Sequence, residues 1–197
     1  FKFNKEIEYL FKKFFIPEKY LLKKRLIRAY KKKYEEELLF LDKIVDKNLE
    51  SVDVGVYRGV YTFQLAKLSK HVHSFEPNPL IFPYLNKNLK KIVKNITLYN
   101  TALSDVKTVT DLKISKRFNT IIKKNYEERY ELGTATIHKN NLLINKEFIT
   151  CKVKTERLDD LLANKNIGFI KIDVEGHEKN VLMGSEDLIK KNKPILL

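Results

Sequence analysis

Apolar residues recur at helical spacing over the first part of the chain. Between residues 5 and 15 they occupy positions i, i+3, i+4, i+7 and i+8, which predicts an amphipathic helix that Pro17 ends. Residues 18–34 continue this spacing and contain eight Lys or Arg residues against one Glu. Three glutamates from residue 35 onward open a third predicted helix, since acidic residues favour a helix N-terminus.

From residue 51 onward, short apolar runs alternate with longer helical patterns. Strands are predicted at residues 51–54, 72–75, 96–99, 167–174 and 195–197, and helices at 58–69, 79–94, 158–163 and after Gly176. The predicted buried positions of that last helix are Val181, Leu182, Ser185, Leu188 and Ile189. This alternation predicts an α/β domain with a mostly parallel sheet and helices on both faces. We divide the chain into an N-terminal helical extension, residues 1–35, and an α/β domain, residues 36–197.

Residues 106–154 interrupt the alternation. Strand-like patterns at 109–114, 134–137 and 148–153 predict an antiparallel excursion from the main sheet, with a polar loop at 116–131. Such a loop either covers a substrate site or is a simple surface insertion, and the sequence fits both interpretations.

The charge of the chain and the lengths of its apolar runs limit the function classes. Of 39 basic residues 33 are Lys, and the net charge is +14. Specific nucleic-acid readers favour Arg, so we expect no specific nucleic-acid partner and interpret most Lys residues as solvated surface. The basic 18–34 helix could also contact an anionic surface. No apolar run is long enough to span a membrane.

The cysteine content and the terminal residues lead to two further expectations. Cys151 is the only cysteine and no signal peptide is visible, which predicts a reducing, cytoplasmic location. The chain does not begin with Met and stops inside a predicted strand, so we expect it to be trimmed. The oligomeric state is not predicted.

A glycine turn follows the first predicted strand. Asp53 ends that strand, and Gly55 and Gly59 lie four residues apart before the next helix. Glycine permits a left-handed backbone and close approach of a ligand. Glu76 follows the second strand, 21 residues after Gly55, where nucleotide-binding folds hold a ribose.

Polar residues follow four strands of the predicted sheet. Asp53, Glu76 and Asp173 end three of them, and residues 100–102 follow a fourth. Each acid alone is equally typical of a turn or a helix N-cap. Because the carboxyl ends of parallel strands share one edge, the set together predicts a ligand site.

Four motifs resemble the FkbM-type S-adenosylmethionine-dependent methyltransferases. They are VDVGVYRGVYT at 52–62, FEPNP at 75–79, LYNTALSD at 98–105 and IKIDVEGHEKNVLMGSEDLI at 170–189, and the resemblance covers about residues 36–197. It implies a Rossmann-like class I methyltransferase fold, with further strands beyond the C-terminus of this chain. Val56 and Tyr57 stand where the family commonly has Ala and Asn.

The resemblance also implies a cofactor site for S-adenosyl-L-methionine. Asp53 would organise its methionine amino group, the Gly55 and Gly59 backbone would approach it, and Glu76 would bind its ribose. Asn100 and Ala102 would flank the adenine. The other residues that the resemblance places at the cofactor are Tyr57, Thr62, Pro77 and Asp173. A carboxylate cluster suits this cationic sulfonium.

A hydroxyl acceptor must lose a proton, so a base is expected near the transferred methyl group. The candidates are Asp173, Glu175 and His177. His177 has the best intrinsic pKa, although it could equally point to solvent from a first helical turn. Glu175 could instead accept backbone N–H bonds of the Gly176 turn. These residue types can bind metals, but their spacing does not support a metal, and none is predicted.

Lys171 is unusual inside an apolar strand. It either reaches the sheet edge and pairs with an acid or faces the acceptor. Glu178 is expected to favour the N-terminus of the following helix electrostatically.

The leading hypothesis is an S-adenosylmethionine-dependent O-methyltransferase acting on a hydroxyl of a sugar, glycan or other small molecule. An NAD-dependent oxidoreductase is an alternative, although the third glycine of the dinucleotide fingerprint is missing. A basic module that binds nucleic acid or anionic surfaces is another. The sequence contains neither an aromatic ribonucleoprotein motif nor zinc-ligand spacing to support it.

Overall fold

The computed structural model describes residues 15–31, 35–115, 135–137 and 148–197. The helices are α1 (Glu18–Lys31), a 3₁₀ helix (Glu36–Leu39), α2 (Leu41–Ile44), α3 (Val60–Leu68), α4 (Phe82–Ile92), α5 (Leu158–Leu162), α6 (Glu178–Met183) and α7 (Glu186–Asn192). The strands are β1 (Glu50–Val54), β2 (His71–Phe75), β3 (Ile96–Tyr99), β4 (Ala102–Leu103), β5 (Thr108–Ser115), β6 (Ala135–Thr136), β7 (Phe148–Glu156), β8 (Ile167–Ile172) and β9 (Ile195–Leu196).

Five described strands form a parallel sheet in the order β3-β2-β1-β8-β9. The strand order reverses beside β1, because the chain runs outward to β3 and then returns to β8 on the other side. Asp53 pairs with Ser74 on one side and Lys171 on the other, so the carboxyl ends of β1, β2 and β8 lie at one edge. The predicted parallel α/β sheet is confirmed.

The described strands of the predicted excursion form a second sheet together with β4, in the order β4-β7-β5-β6. Strand β5 runs antiparallel to both β6 and β7, as predicted, while the short β4 runs parallel to β7. The predicted loop at 116–131 and all but the last residue of the predicted helix at 5–15 lie outside the described residues.

The parallel sheet is covered on both faces. One face packs against α3 and α4, on which α1 packs in turn, and the other packs against β4 and α5 to α7. Leu22 and Leu26 of α1 are buried in the same cluster as Leu85 and Leu89 of α4. The N-terminal extension therefore contributes to the core of the α/β domain. No described helix is both long enough and apolar enough to cross a membrane.

Two predicted helices are broken in the structure. The helix predicted from residue 35 is a 3₁₀ turn followed by α2, with Phe40 between them. The helix predicted after Gly176 divides into α6 and α7 at Gly184, where a Cβ would lie 2.0 Å from the Ser104 carbonyl oxygen. That close contact turns the chain, and the predicted burial of Leu182 is wrong because its side chain is 38% exposed.

Candidate functional site

A cavity opens at the carboxyl edge of β1, β2 and β8. Its empty volume is about 870 Å³, which includes the solvent-open mouth. Of the predicted site residues, the wall contains Gly55, Tyr57, Glu76, Pro77, Ala102, Asp173, Glu175 and His177. The structure thus brings together side chains that are more than 100 residues apart in the sequence.

Glu76 is the most constrained acid of this wall. Its Oε2 accepts a hydrogen bond from the Tyr57 backbone N–H at 2.7 Å, and its Oε1 accepts one from the Asn78 N–H at 2.8 Å. The side chain is buried, and burial raises the pKa of Glu76 to about 7 against the lowering effect of those two donors. Each oxygen keeps a second acceptor site, so the carboxylate can receive two further hydroxyl donors.

The loop after β1 lies against the end of β8. Gly55 has φ +85°, and a Cβ built there would lie 1.9 Å from the Asp173 carbonyl oxygen. Tyr57 also has a left-handed backbone, with φ +48°, and this geometry directs its N–H to Glu76. Strain of this kind at a non-glycine residue is typical of functional loops.

Asp53 lies beneath this loop and does not line the cavity. It is fully buried, accepts a hydrogen bond from the Thr62 hydroxyl at 2.6 Å and lies 3.5 Å from Lys171 Nζ. Burial raises the pKa of Asp53, while the charge of Lys171 lowers it. Lys171 Nζ also donates to the Gly55 carbonyl oxygen at 2.9 Å. The acid-pairing interpretation of Lys171 is therefore confirmed.

Thr62, Gly59 and Asn100 likewise stand behind the wall. Gly59 precedes α3 with φ +80°, which explains why the helix begins at Val60 rather than at the predicted residue 58. Asn100 donates its side-chain N–H to the carbonyl oxygens of Glu76 and Pro77, at 2.9 and 3.3 Å. These residues shape the backbone of the site instead of facing the cavity.

His177 belongs to a hydrogen-bond network that the sequence did not reveal. Its Nε2 lies 3.0 Å from Ser104 Oγ, which in turn donates to Asp105 Oδ1 at 2.8 Å. The Asn180 side chain donates to the same Asp105 oxygen, and these two donors lower the pKa of Asp105. Since Ser104 has one proton, its oxygen accepts from His177 Nε2–H, which leaves the lone pair of a neutral ring on Nδ1.

The turn after β8 is held by Glu178. Its Oε1 accepts backbone N–H bonds from Val174 at 3.2 Å and Gly176 at 3.0 Å, the role considered for Glu175 in the sequence. Glu175 instead lies on the cavity wall with φ +54°. Burial, followed by the charges of Asp173 and Glu178, raises the pKa of Glu175.

The second sheet supplies an aliphatic side to the cavity. The residues concerned are Leu112, Ile114, Ala135 and Ile137. Thr136 of β6 donates its hydroxyl to the Glu175 carbonyl oxygen at 2.8 Å, which connects this sheet to the turn after β8. The excursion therefore borders the site, although the sequence alone left a simple insertion equally open.

The model of the methyltransferase FkbM domain matches residues 53–197. The chain belongs to the FkbM methyltransferase family. Its match begins at Asp53 and includes every predicted site residue. No curated protein is similar enough in sequence to this chain to count as a relative.

A solved FkbM structure supports the fold of this chain. Methyltransferase FkbM from Methylobacillus flagellatus KT superposes with a TM-score of 0.51 at 17% identity, over 77% of this chain and 32% of that one. The present chain therefore spans about a third of that relative's length. A Streptococcus mutans protein solved in complex with SAH shares 25% identity over 34% of this chain and 38% of its own, with a TM-score of 0.31.

Metal-binding side chains are not clustered in the described part of the FkbM site. Within the described part of the chain, Asp173, Glu175 and His177 included, no three His, Cys, Asp or Glu side chains are grouped so that they could hold a metal ion.

Proposed function

We propose that this chain binds S-adenosyl-L-methionine in the cavity and methylates a hydroxyl group of a sugar, glycan or other small molecule. The observation that carries the proposal is Glu76, a buried carboxylate with both oxygens oriented by backbone N–H groups beside a glycine loop. Membership of the FkbM methyltransferase family supports the reaction class.

The chemistry of the wall fits this cofactor. Glu76 would accept the two ribose hydroxyls, and Ala102 with Leu103 offers an apolar surface of the kind an adenine requires. The Gly55 loop has no side chain at its closest approach to the end of β8. This loop and Asp173 would hold the amino-acid end of the cofactor. When bound, the cofactor supplies a methyl group on a positively charged sulfur, and nearby carboxylates favour such a cation.

The network around His177 supports this residue as the base. Asp105 and Ser104 would hold the ring through Nε2, and His177 lines the cavity in which the acceptor would lie. Asp173 is a weaker candidate because its side chain is 66% exposed and its Oδ2 lies 3.6 Å from Lys171 Nζ, with which it forms an ion pair.

Calorimetry with S-adenosylhomocysteine on the full-length chain tests cofactor binding. We expect Glu76→Ala to weaken binding about a hundredfold, because two hydrogen bonds to a charged group are lost. Glu186→Ala is the matched control, since Glu186 pairs with Lys190 on the surface. This variant should bind S-adenosylhomocysteine as the wild type does. Absence of binding by intact protein, or equal loss in both variants, would overturn the proposal. Binding of NAD instead would favour the oxidoreductase.

A screen of hydroxyl-bearing sugars and small molecules tests the reaction. The expected product has gained the mass of one methyl group on oxygen. Once an acceptor is found, His177→Asn should lower kcat about 10²–10⁴-fold while S-adenosylhomocysteine affinity stays unchanged. A full rate in His177→Asn would refute the assignment of the base, and methylation on nitrogen or carbon would refute the hydroxyl acceptor.

A further inference from the structure

The outward face of α1 combines positive charge with exposed apolar side chains. Leu22, Leu26 and Ala29 are buried against the domain. The residues that point the opposite way recur at helical spacing: Tyr20, Lys23, Lys24, Ile27, Arg28 and Lys31. Tyr20 is 56% exposed and Ile27 is 37% exposed, and they lie on one line seven residues apart. We call these six residues the α1 outer face.

Positive charge continues onto the neighbouring helices. Helix α1 packs on α3 and α4, which present exposed Lys residues at Lys67, Lys87, Lys90 and Lys91. Partial desolvation of the Lys67 ammonium group, followed by the charge of Lys23, lowers the pKa of Lys67, so the two ammonium groups from different helices repel each other. Glu18 is the single acid of α1, and it pairs with Lys87 at 3.8 Å.

We propose that the α1 outer face docks on a membrane surface rich in anionic lipid. A polyanion is the complementary partner because like charges here are assembled in spite of their mutual repulsion. Lipid is favoured over nucleic acid for two reasons. Lys interacts with phosphate as a point charge without the planar fork used in nucleic-acid recognition, and 33 of the 39 basic residues are Lys. Tyr20 and Ile27 can also enter the headgroup region, as in interfacial helices.

This inference does not depend on the proposed cofactor. The α1 outer face lies on the sheet side covered by α1, α3 and α4, whereas the cavity lies at the carboxyl edge of the sheet. Charge changes on α1 should therefore leave S-adenosylhomocysteine binding intact, which also serves as a check on folding.

Co-sedimentation of the full-length chain with lipid vesicles tests the proposal. The probes are vesicles of phosphatidylcholine alone and of phosphatidylcholine mixed equally with phosphatidylglycerol. We expect binding to the mixed vesicles only, weakening as salt is added. The double variant Lys24→Glu/Lys31→Glu should bind at least about tenfold more weakly. Lys47→Glu/Lys154→Glu removes the same charge from exposed positions on other elements and should bind as wild type.

A second variant pair separates insertion from simple charge attraction. Tyr20→Ser/Ile27→Ser keeps every charge and should weaken vesicle binding severalfold while leaving its salt dependence unchanged.

Nucleic acid is tested as the competing partner by titrating the wild-type chain and the Glu double variants with duplex DNA and with single-stranded RNA. The proposal fails if both Glu double variants lose binding equally, if the Ser variant binds as wild type, or if nucleic acid binds through Lys24 and Lys31 while vesicles do not.

Discussion

Glu76 combines a buried carboxylate with a pKa of about 7, and this makes ligand binding depend on pH. Hydroxyl donors favour the ionised carboxylate, so a ligand must displace a proton when the pH is below the pKa. We expect S-adenosylhomocysteine affinity to fall as the pH is lowered from about 8 to about 5, approaching tenfold per pH unit below the pKa.

Calorimetry in buffers of different ionisation enthalpy measures the proton released by Glu76 on binding. Glu76→Gln should bind weakly and show neither the proton release nor the pH slope. An unchanged slope in that variant would assign the titration to another group. The pH dependence of folding stability in the ligand-free protein has the opposite sign. Between about pH 4.5 and pH 7 the folded state keeps the Glu76 proton while the unfolded state loses it, so the contribution of Glu76 to stability falls as the pH rises.

Gly55 and Gly59 share a left-handed backbone but differ in what surrounds them. A left-handed backbone costs any other residue about 1–2 kcal/mol. At Gly59 a new Cβ meets Leu89 Cδ2 at 2.8 Å, the flexible end of a side chain, whereas at Gly55 it meets the Asp173 carbonyl oxygen at 1.9 Å. We expect Gly55→Ala to lower the free energy of unfolding clearly more than Gly59→Ala does, as measured by urea denaturation.

The same pair of variants should differ in ligand binding. Gly55→Ala must displace β8 or the loop at the cavity wall, so it should also weaken S-adenosylhomocysteine binding. Gly59→Ala changes the start of α3 behind the wall and should retain most of the affinity. Equal effects of the two variants on stability and affinity would contradict this account.

At the scale of elements, β1 and β8 are joined by charge as well as by backbone hydrogen bonds. Lys171 Nζ lies 3.5 Å from Asp53 Oδ1, and Asp53 has no exposed surface. Removing one partner of a buried pair leaves an uncompensated charge, so Lys171→Met should lower the free energy of unfolding by about 3–5 kcal/mol.

The double variant Asp53→Asn/Lys171→Met supplies the control for this pair. It should regain much of the lost stability, because no charge remains buried, and denaturant unfolding of all the variants gives the coupling energy. If the stability lost by the double variant equals the sum of the losses in Asp53→Asn and Lys171→Met, Asp53 and Lys171 do not interact.

The elements that the sequence predicts well are those with a single dominant pattern. The strands of the parallel sheet and α1 were found within a few residues, because apolar period and turn residues agree there. The break between α6 and α7 was missed, since Gly184 turns the chain to accommodate Ser104, a residue 80 positions earlier. The paired role of Asp53 behind the wall and the link from His177 to Asp105 were missed for the same reason: each depends on contacts between distant segments.

At the scale of the whole molecule, the net charge of +14 opposes compaction. The described surface ion pairs, such as Lys107 with Glu156 and Lys152 with Asp111, involve exposed Lys side chains and contribute little each. Raising the salt concentration from about 0.01 M to about 0.15 M shortens the screening length from about 30 Å to about 8 Å, which weakens long-range repulsion more than contacts. We therefore expect Tm to rise over this range.

Thermal unfolding in sodium chloride, followed by circular dichroism, measures that rise. Lys47→Glu/Lys154→Glu lowers the net charge without changing the α1 outer face, so its Tm should start higher and respond less to salt. A Tm that falls with salt would mean that attractive pairs outweigh the repulsion. The Tm difference between the wild type and this variant also bears on membrane docking. Where positive charge lowers the stability of the free protein, an anionic partner that neutralises the charge stabilises the folded state most.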